Sequence, residues 1–387
     1  MTDTKSTTDR ITLTDLSESS RGVFNPGLWL KVMRAPRASL KQLVGTGPVF
    51  PLLILFGLNA ADELDRTAFG ILLPNVRDAF GMSNTGILSL VGLTALGALL
   101  MQMPIAIAAD RGNRVVITLV GAVVWAVFSV MTGASTAIWM LIVARTGSGI
   151  GRAVVDPTHN ALLSDYYPVD RRPGVFSFHR AANVLGQFIG PILAGVLAAA
   201  FTWRTPFYVF AIPTLILVVL GTRMKEPIRG AQERRASGAS EEVIQTEEAA
   251  PSFAEAWRLL WKIDVLRRIW YAVPFLSVAI IGFVSLASLM YEEVYNVDTL
   301  QRGYLAACVE PFQFLGLAIG AKLGTRLFLR DPALIFKFLR GVAFTSAVLV
   351  ACFALAPTLW LSILANILLT SVLAILIPGL FSTLSLA

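Results

Sequence analysis

Four ionisable residues crowd into five positions of an otherwise apolar stretch: Asp62, Glu63, Asp65 and Arg66 lie between LLILFGLNAA and TAFGILLPNV. At the centre of a lipid-spanning helix each charge costs about 2.5–3.5 kcal/mol on insertion scales, so such groups face water, a partner or a bound solute. Asp62 and Arg66 are one helical turn apart, a spacing that permits an ion pair along the helix. Glu63 points about 100° away from Asp62 and is expected to face a neighbouring helix. A second set lies in ARTGSGIGRAVVDPTHNA, where Arg145, Gly149, Arg152, Asp156 and His159 follow steps of four and three and so share one helix stripe. His179, Arg180 and Glu310 stand in further apolar stretches. Asp62, Asp65, Arg66, Arg145, Arg152, Asp156 and Glu310 are therefore the candidate lining of a hydrated cavity, with ion pairs that merely lock the helices together as the competing reading. His159 fits a satisfied interfacial histidine better than a proton relay.

The elements that would hold these residues are long apolar blocks. Of the 387 residues, 55% are hydrophobic and 15% charged, against about 25% charged in soluble domains. Ten blocks have the length a helix needs to cross a bilayer: 49–73, 85–107, 115–134, 138–162, 174–200, 205–222, 269–291, 303–325, 334–355 and 359–384. The fold class is all-α, a polytopic transmembrane helix bundle. Two cysteines and two histidines offer no metal-site spacing, and no GxxxxGK[ST] phosphate loop occurs. No metal or cofactor is expected.

The net charge of +7 belongs to alternate loops and not to one nucleic-acid-binding face. Lys31, Arg34, Arg37 and Lys41 precede the first block; Arg111 and Arg114, Arg171 and Arg172, a run from Arg223 to Arg268, and Arg326 and Arg330 follow the even-numbered ones. The intervening loops hold only Arg77, Arg204 and Arg302. Basic loops mark the cytoplasmic side, which puts the N-terminus inside the plasma (inner) membrane.

Residues 1–48 form a cytoplasmic tail. Its part 27–43 is either a surface helix, broken at Pro36, or unstructured chain. Residues 49–222 carry six spans, and 223–268 a cytoplasmic linker. The linker opens with GAQERRASGASEEVIQTEEAAP, whose small and charged residues predict flexibility. It continues with SFAEAWRLLWKIDVLRR, where Ser252 and Glu255 stand at capping-box spacing and Phe253, Trp257, Leu260 and Trp261 form one apolar face, an amphipathic helix. Residues 269–387 hold four spans. Six spans, a long loop and further spans is the plan of transporters made of two six-helix repeats, so a second half of four is expected to be truncated; a ten-helix protein is the alternative.

Several motifs resemble the major facilitator superfamily from about residue 50 to the end. PIAIAADRGNRVV is similar to the family's cytoplasmic signature, with Asp110, Arg111 and Arg114 as its charged members and Ala106 where a glycine is usual. The second-half copy, GAKLGTRLF, has Thr325 where an acid would stand. The arginine, glycines, aspartate and basic turn running from Arg145 to Arg171 and Arg172 resemble another family pattern, and GQFIGPILAG resembles a glycine-proline pattern frequent in its exporters. Trp203 and Arg204 are a further frequent feature. Asp65 and Arg66 match the mid-helix pair of the spinster-like branch, where this chain has Arg152 in place of the acid that follows the glycines of the fourth span.

The resemblance implies a secondary active transporter, not an enzyme, that works by alternating access. It makes Asp110, Arg111, Arg114, Arg171 and Arg172 a cytoplasmic gate. The arginines of the first and fourth spans point to a small or amphipathic solute with an anionic group, moved with proton coupling, by a monomer in contact with membrane lipids. Two alternatives stay open: a facilitator-like membrane module of a larger, ATPase-fused transport protein, and a membrane-embedded lipid-modifying enzyme.

Overall fold

The computed structural model describes residues 36–245, 283–330 and 332–384, with scattered positions between 257 and 271. Among these every regular element is helical, as a bilayer requires of a chain whose backbone groups find no water to bond. The helices are α1 (Pro36–Val44), α2 (Val49–Ala79), α3 (Asn84–Arg111), α4 (Arg114–Ala134), α5 (Ile138–Arg152), α6 (Val155–Tyr166), α7 (Arg172–Ala200) and α8 (Thr205–Gly221). There follow the short α9 (Ala231–Ala236) and α10 (Glu241–Ile244), then α11 (283–295), α12 (Thr299–Arg330), α13 (Pro332–Ala354) and α14 (Leu359–Leu384). Among the described residues five helices are long and apolar enough to cross a membrane, six if the bent α1–α2 pair counts as one span, and Thr205–Gly221 and Leu359–Ile375 are shorter apolar helices. The seventh expected span, 269–291, lies outside the described residues up to 282 apart from Tyr271.

Local chemistry sets the helix ends. Ser83 and Asn113 cap α3 and α4 by accepting from Gly86 N at 3.1 Å and Val116 N at 2.9 Å. The described part of α1 begins at Pro36, so the expected break there lies at the edge of the described residues. The chain then turns by 97° into α2, with Gly45 left-handed at φ +61°. Leu40 and Val44 of α1 are buried in the core that α2, α4 and α7 share. The segment 36–44 is thus a docked helix; residues 27–35 lie outside the described residues.

The six-helix part is organised around α2, which packs on α7 and α8, while α4 packs on α5 and α8, and α3 on α5. Small residues set how near the axes come. A Cβ at Gly151 would stand 2.5 Å from Trp125 N, so α5 lies directly on the α4 backbone. In the second part α12 packs on α14 through Gly320, where a Cβ would meet Ile375 O at 2.8 Å.

The two parts meet mainly along α7 and α12. Gly195 faces Thr299 and Leu300, and Gly303 faces the Pro191 carbonyl, where no side chain fits. At the same end Arg77 of α2 pairs with Glu292 at 2.9 Å and also with Glu293, and Arg302 donates to Asn75 at 2.9 Å. We call this the far end, and the end carrying Arg114 and Arg172 the basic end.

The first stretch of the linker is not free chain. Glu226 accepts from Arg114 Nε at 2.7 Å and Val115 N at 2.9 Å. Arg114 also pairs with the buried Asp165, which in turn accepts from Gly230 N at 2.8 Å. Arg229 reaches the last carbonyls of α3, Ala109 at 3.0 Å and Gly112 at 2.5 Å, the role basic residues play at helix C-termini. Glu233 of α9 pairs with Arg172 at 2.7 Å, and that hydrogen bond holds its carboxyl below the usual range. The expected flexibility of residues 230–251 is overturned up to 245, because fixed polar partners offset the entropy a charged segment loses on ordering. The expected amphipathic helix at 252–268 falls mostly outside the described residues; of its apolar face, Trp257 and Trp261 stack at 5.3 Å.

Replacing Arg114 with Met strands Asp165 and Glu226 without their cation. Breaking a largely buried pair from one side costs about 3–5 kcal/mol, so Arg114→Met should lower the apparent melting temperature of the purified protein in detergent by several degrees. An unchanged melting curve would mean that the linker does not dock through this residue.

Candidate functional site

The mid-bundle charges divide into a buried lock and a cavity face. Asp65, fully buried on α2, accepts from Ser129 Oγ of α4 at 2.5 Å and from Arg145 of α5 at 3.3 Å. Arg152, two turns beyond Arg145, lies 3.6 Å from Asp65 and 3.5 Å from Asp62. Arg145 also lies over the Phe69 ring, 3.9 Å from its centroid, so aromatic faces as well as Asp65 neutralise it. The stripe expected on the fourth span is present as far as Arg152, and Gly149 within it brings the Thr94 carbonyl of α3 to 2.9 Å from where a Cβ would be.

Beyond Arg152 the helix breaks at residues 153–154 and the stripe divides. Asp156 is exposed and pairs with the equally exposed Arg180 at 3.3 Å, apart from the lock. His159 turns inward instead and meets His179.

The expected Asp62–Arg66 pair does not form. Arg66 pairs with Glu63, its Nε at 3.0 Å, because Arg152 engages Asp62 from α5 while Glu63 faces α7. There Glu63 accepts from Gln187 at 3.0 Å and Asn183 at 3.5 Å. It fits beneath α7 only because position 186 is glycine, where a Cβ would stand 2.5 Å from the Glu63 Cβ. The Arg66 side chain is 52% exposed. Glu310 of α12 lies within electrostatic reach of Arg66 and Glu63 and accepts from Gln313. Between α7 and α12 is a cavity of about 110 Å³ lined by Gln187, Phe188, Glu310, Pro311 and Gln313.

Two of the contacting residues were visible in the sequence without being singled out as site residues. Glu63 is as costly in lipid as its neighbours, and Gln187 is a polar residue in GQFIGP. Ser129 and Asn183 carried no such signal, since one small polar residue in a helix is ordinary.

The five expected gate residues do not join one another. Asp110 and Arg111 are exposed and form no ion pair among the described residues. Arg114 and Arg172 hold the linker, and Arg171 pairs with Asp170 at 3.1 Å and reaches the Gln42 carbonyl of α1 at 3.3 Å. Among the described residues no group of acids, histidines and cysteines could hold a metal ion.

The lock makes a measurable prediction. Asp65→Asn leaves two buried guanidinium groups short of a counter-ion, a loss of about 3–5 kcal/mol. Asp65→Asn combined with Arg145→Gln should melt higher than the sum of the single losses allows, since contacting charges are not additive. Additive losses would show that the two residues do not interact.

The sequence pattern of the Major Facilitator Superfamily matches residues 55–387. The chain is 26% identical over 271 residues to the probable L-galactonate transporter of Escherichia coli K12, a stretch covering 68% of this chain and 58% of that protein. It is 27% identical over 169 residues to the hexuronate transporter of Bacillus subtilis, covering 44% of this chain and 40% of that one. The chain therefore spans less than two thirds of these relatives. A crystal structure of a bacterial homolog of the human lysosomal transporter spinster, inward-facing and unoccupied, superposes with a TM-score of 0.71 at 20% identity, covering 86% of this chain and 74% of that one. The helical bundle, the mid-membrane charges and the family match over residues 55–387 lead to one conclusion: the chain belongs to the Major Facilitator Superfamily of membrane transporters.

Proposed function

We propose that the chain carries a small, amphipathic solute bearing a carboxylate, by alternating access coupled to protons, across the plasma membrane with its N-terminus cytoplasmic. The observation that carries this reading is the half-exposed guanidinium of Arg66, held by Glu63 and within electrostatic reach of Glu310, which lines the cavity together with Gln187, a donor to Glu63. A guanidinium binds a carboxylate through two parallel hydrogen bonds, so a solute carboxylate competes with Glu63 for Arg66. Phe188 and Pro311 offer the rest of the solute an apolar surface. The names of the L-galactonate and hexuronate transporters, both concerned with sugar acids, support the choice of solute class.

Counting charges gives the coupling. Four carboxylates (Asp62, Glu63, Asp65 and Glu310) face three guanidinium groups (Arg66, Arg145 and Arg152). One carboxylate in excess of the cations suits a site that binds and releases one proton. Asp65 is committed to the lock and Glu63 to Arg66, which leaves Asp62 and Glu310 to exchange the proton as solute comes and goes. The far-end contacts of Arg77, Glu292, Asn75 and Arg302 support a conformation closed there and accessible from the basic end, and the basic loops support reading that end as cytoplasmic.

Purified protein in liposomes should take up labelled aldonate or uronate in a saturable way, faster under an imposed proton gradient. Arg66→Ala should lower uptake by about tenfold or more, the effect of losing a charged hydrogen bond. Glu310→Gln should retain solute exchange but lose its response to the gradient. Undiminished uptake by Arg66→Ala would sink the carboxylate reading.

A further inference from the structure

Neither the lock nor the cavity face uses the two histidines, which are both buried. His159 Nδ1 of α6 and His179 Nε2 of α7 lie 3.1 Å apart, one hydrogen bond between two rings. His159 also lines a small cavity inside the six-helix part, together with Asp62, Arg152 and Trp125. This cavity has about 10 Å³ of free space, close to the least that a single water needs. In its polar lining Asp62 Oδ1, Trp125 Nε1 and Arg152 Nη1 make no hydrogen bond among the described residues, and the two charged atoms have only ion pairs at 3.5 and 3.6 Å. A buried water accepts and donates to such groups. On the other side of the pair, His179 Nδ1 lies beside the Leu55 carbonyl without completing a hydrogen bond. Counted from the basic end at 1.5 Å per residue, Asp62 stands about 20 Å along α2 and His179 about 10 Å along α7.

We propose that the His159–His179 pair is a proton relay joining the central carboxylates to the basic end through one water held between Asp62 and His159. This rests on the proton-coupled reading above. The steps conserve the proton. Protonated Asp62 gives its proton to the water, and the water passes one to His159 Nε2. The proton on His159 Nδ1 crosses to His179 Nε2, and the one on His179 Nδ1 leaves toward the basic end. Both rings finish in the other tautomer, and each turns over, exchanging Nδ1 and Nε2, before the next proton follows in the same direction. The charged groups around the pair fit this direction. Arg152 faces Asp62 across the cavity, while Arg180, next to His179, is paired with the exposed Asp156.

The test uses the full chain in liposomes and compares two rates: uptake of labelled uronate driven by a proton gradient, and exchange of labelled for unlabelled uronate at equal pH, which needs no net proton movement. His159→Gln should keep exchange within about twofold and lose tenfold or more of the gradient-driven rate. Gradient-driven uptake at the normal rate in His159→Gln overturns the relay alone. A wild-type protein indifferent to the gradient overturns the proton-coupled reading and the relay with it. If His159→Gln also loses exchange, His179→Asn, which keeps a hydrogen-bonding atom toward His159, carries the same comparison. Loss of exchange in both variants makes the pair a structural bond and overturns the proposal.

Discussion

A carboxylate withdrawn from water into a helix bundle loses solvation worth several kcal/mol, recovered only when cations and hydrogen-bond donors reach it in good geometry. Asp65 meets that demand with Ser129, Arg145 and Arg152, drawn from two other helices. The register of α2 against α4 and α5 follows from it. A one-residue slip would turn Asp65 about 100° away and leave both arginines exposed to apolar neighbours. The lock therefore fixes what its surroundings can do: with Asp65 immobile, Asp62, Glu63 and Arg66 hold defined directions on the same helix.

Glycine makes the rest of that placement possible. Glu63 can face α7 because Gly186 leaves room for it, and α5 can lie on α4 because Gly151 has no side chain. Where backbones touch, van der Waals packing replaces a hydrophobic force that lipid cannot supply. Such close contacts between α7 and α12 gather at the far end, through Gly195 and Gly303. The polar cavity beside Glu310 begins on the basic side of them.

The basic end is organised by different means. Instead of close helix contact it uses an ordered segment: Glu226, Arg229 and Glu233 of the linker occupy groups that α3, α4 and α7 leave unpaired. Arginines which resemble a gate motif thus serve here to hold a connecting strap.

The sequence by itself determined the fold class and the place of the charged centre. Lipid tolerates only self-satisfied helices and penalises every charge, so long apolar runs and the four ionisable residues at 62–66 could be read without coordinates. It also determined that Arg145 and Arg152 share a face, since helical spacing is local. What it could not determine was partnership. Arg66 took Glu63 and not Asp62, Asp156 left the stripe at the break after Arg152, and the charged linker docked where it was expected to move free. Those outcomes depend on which side chain a neighbouring helix offers at each level, and that is a property of packing between segments far apart in the chain.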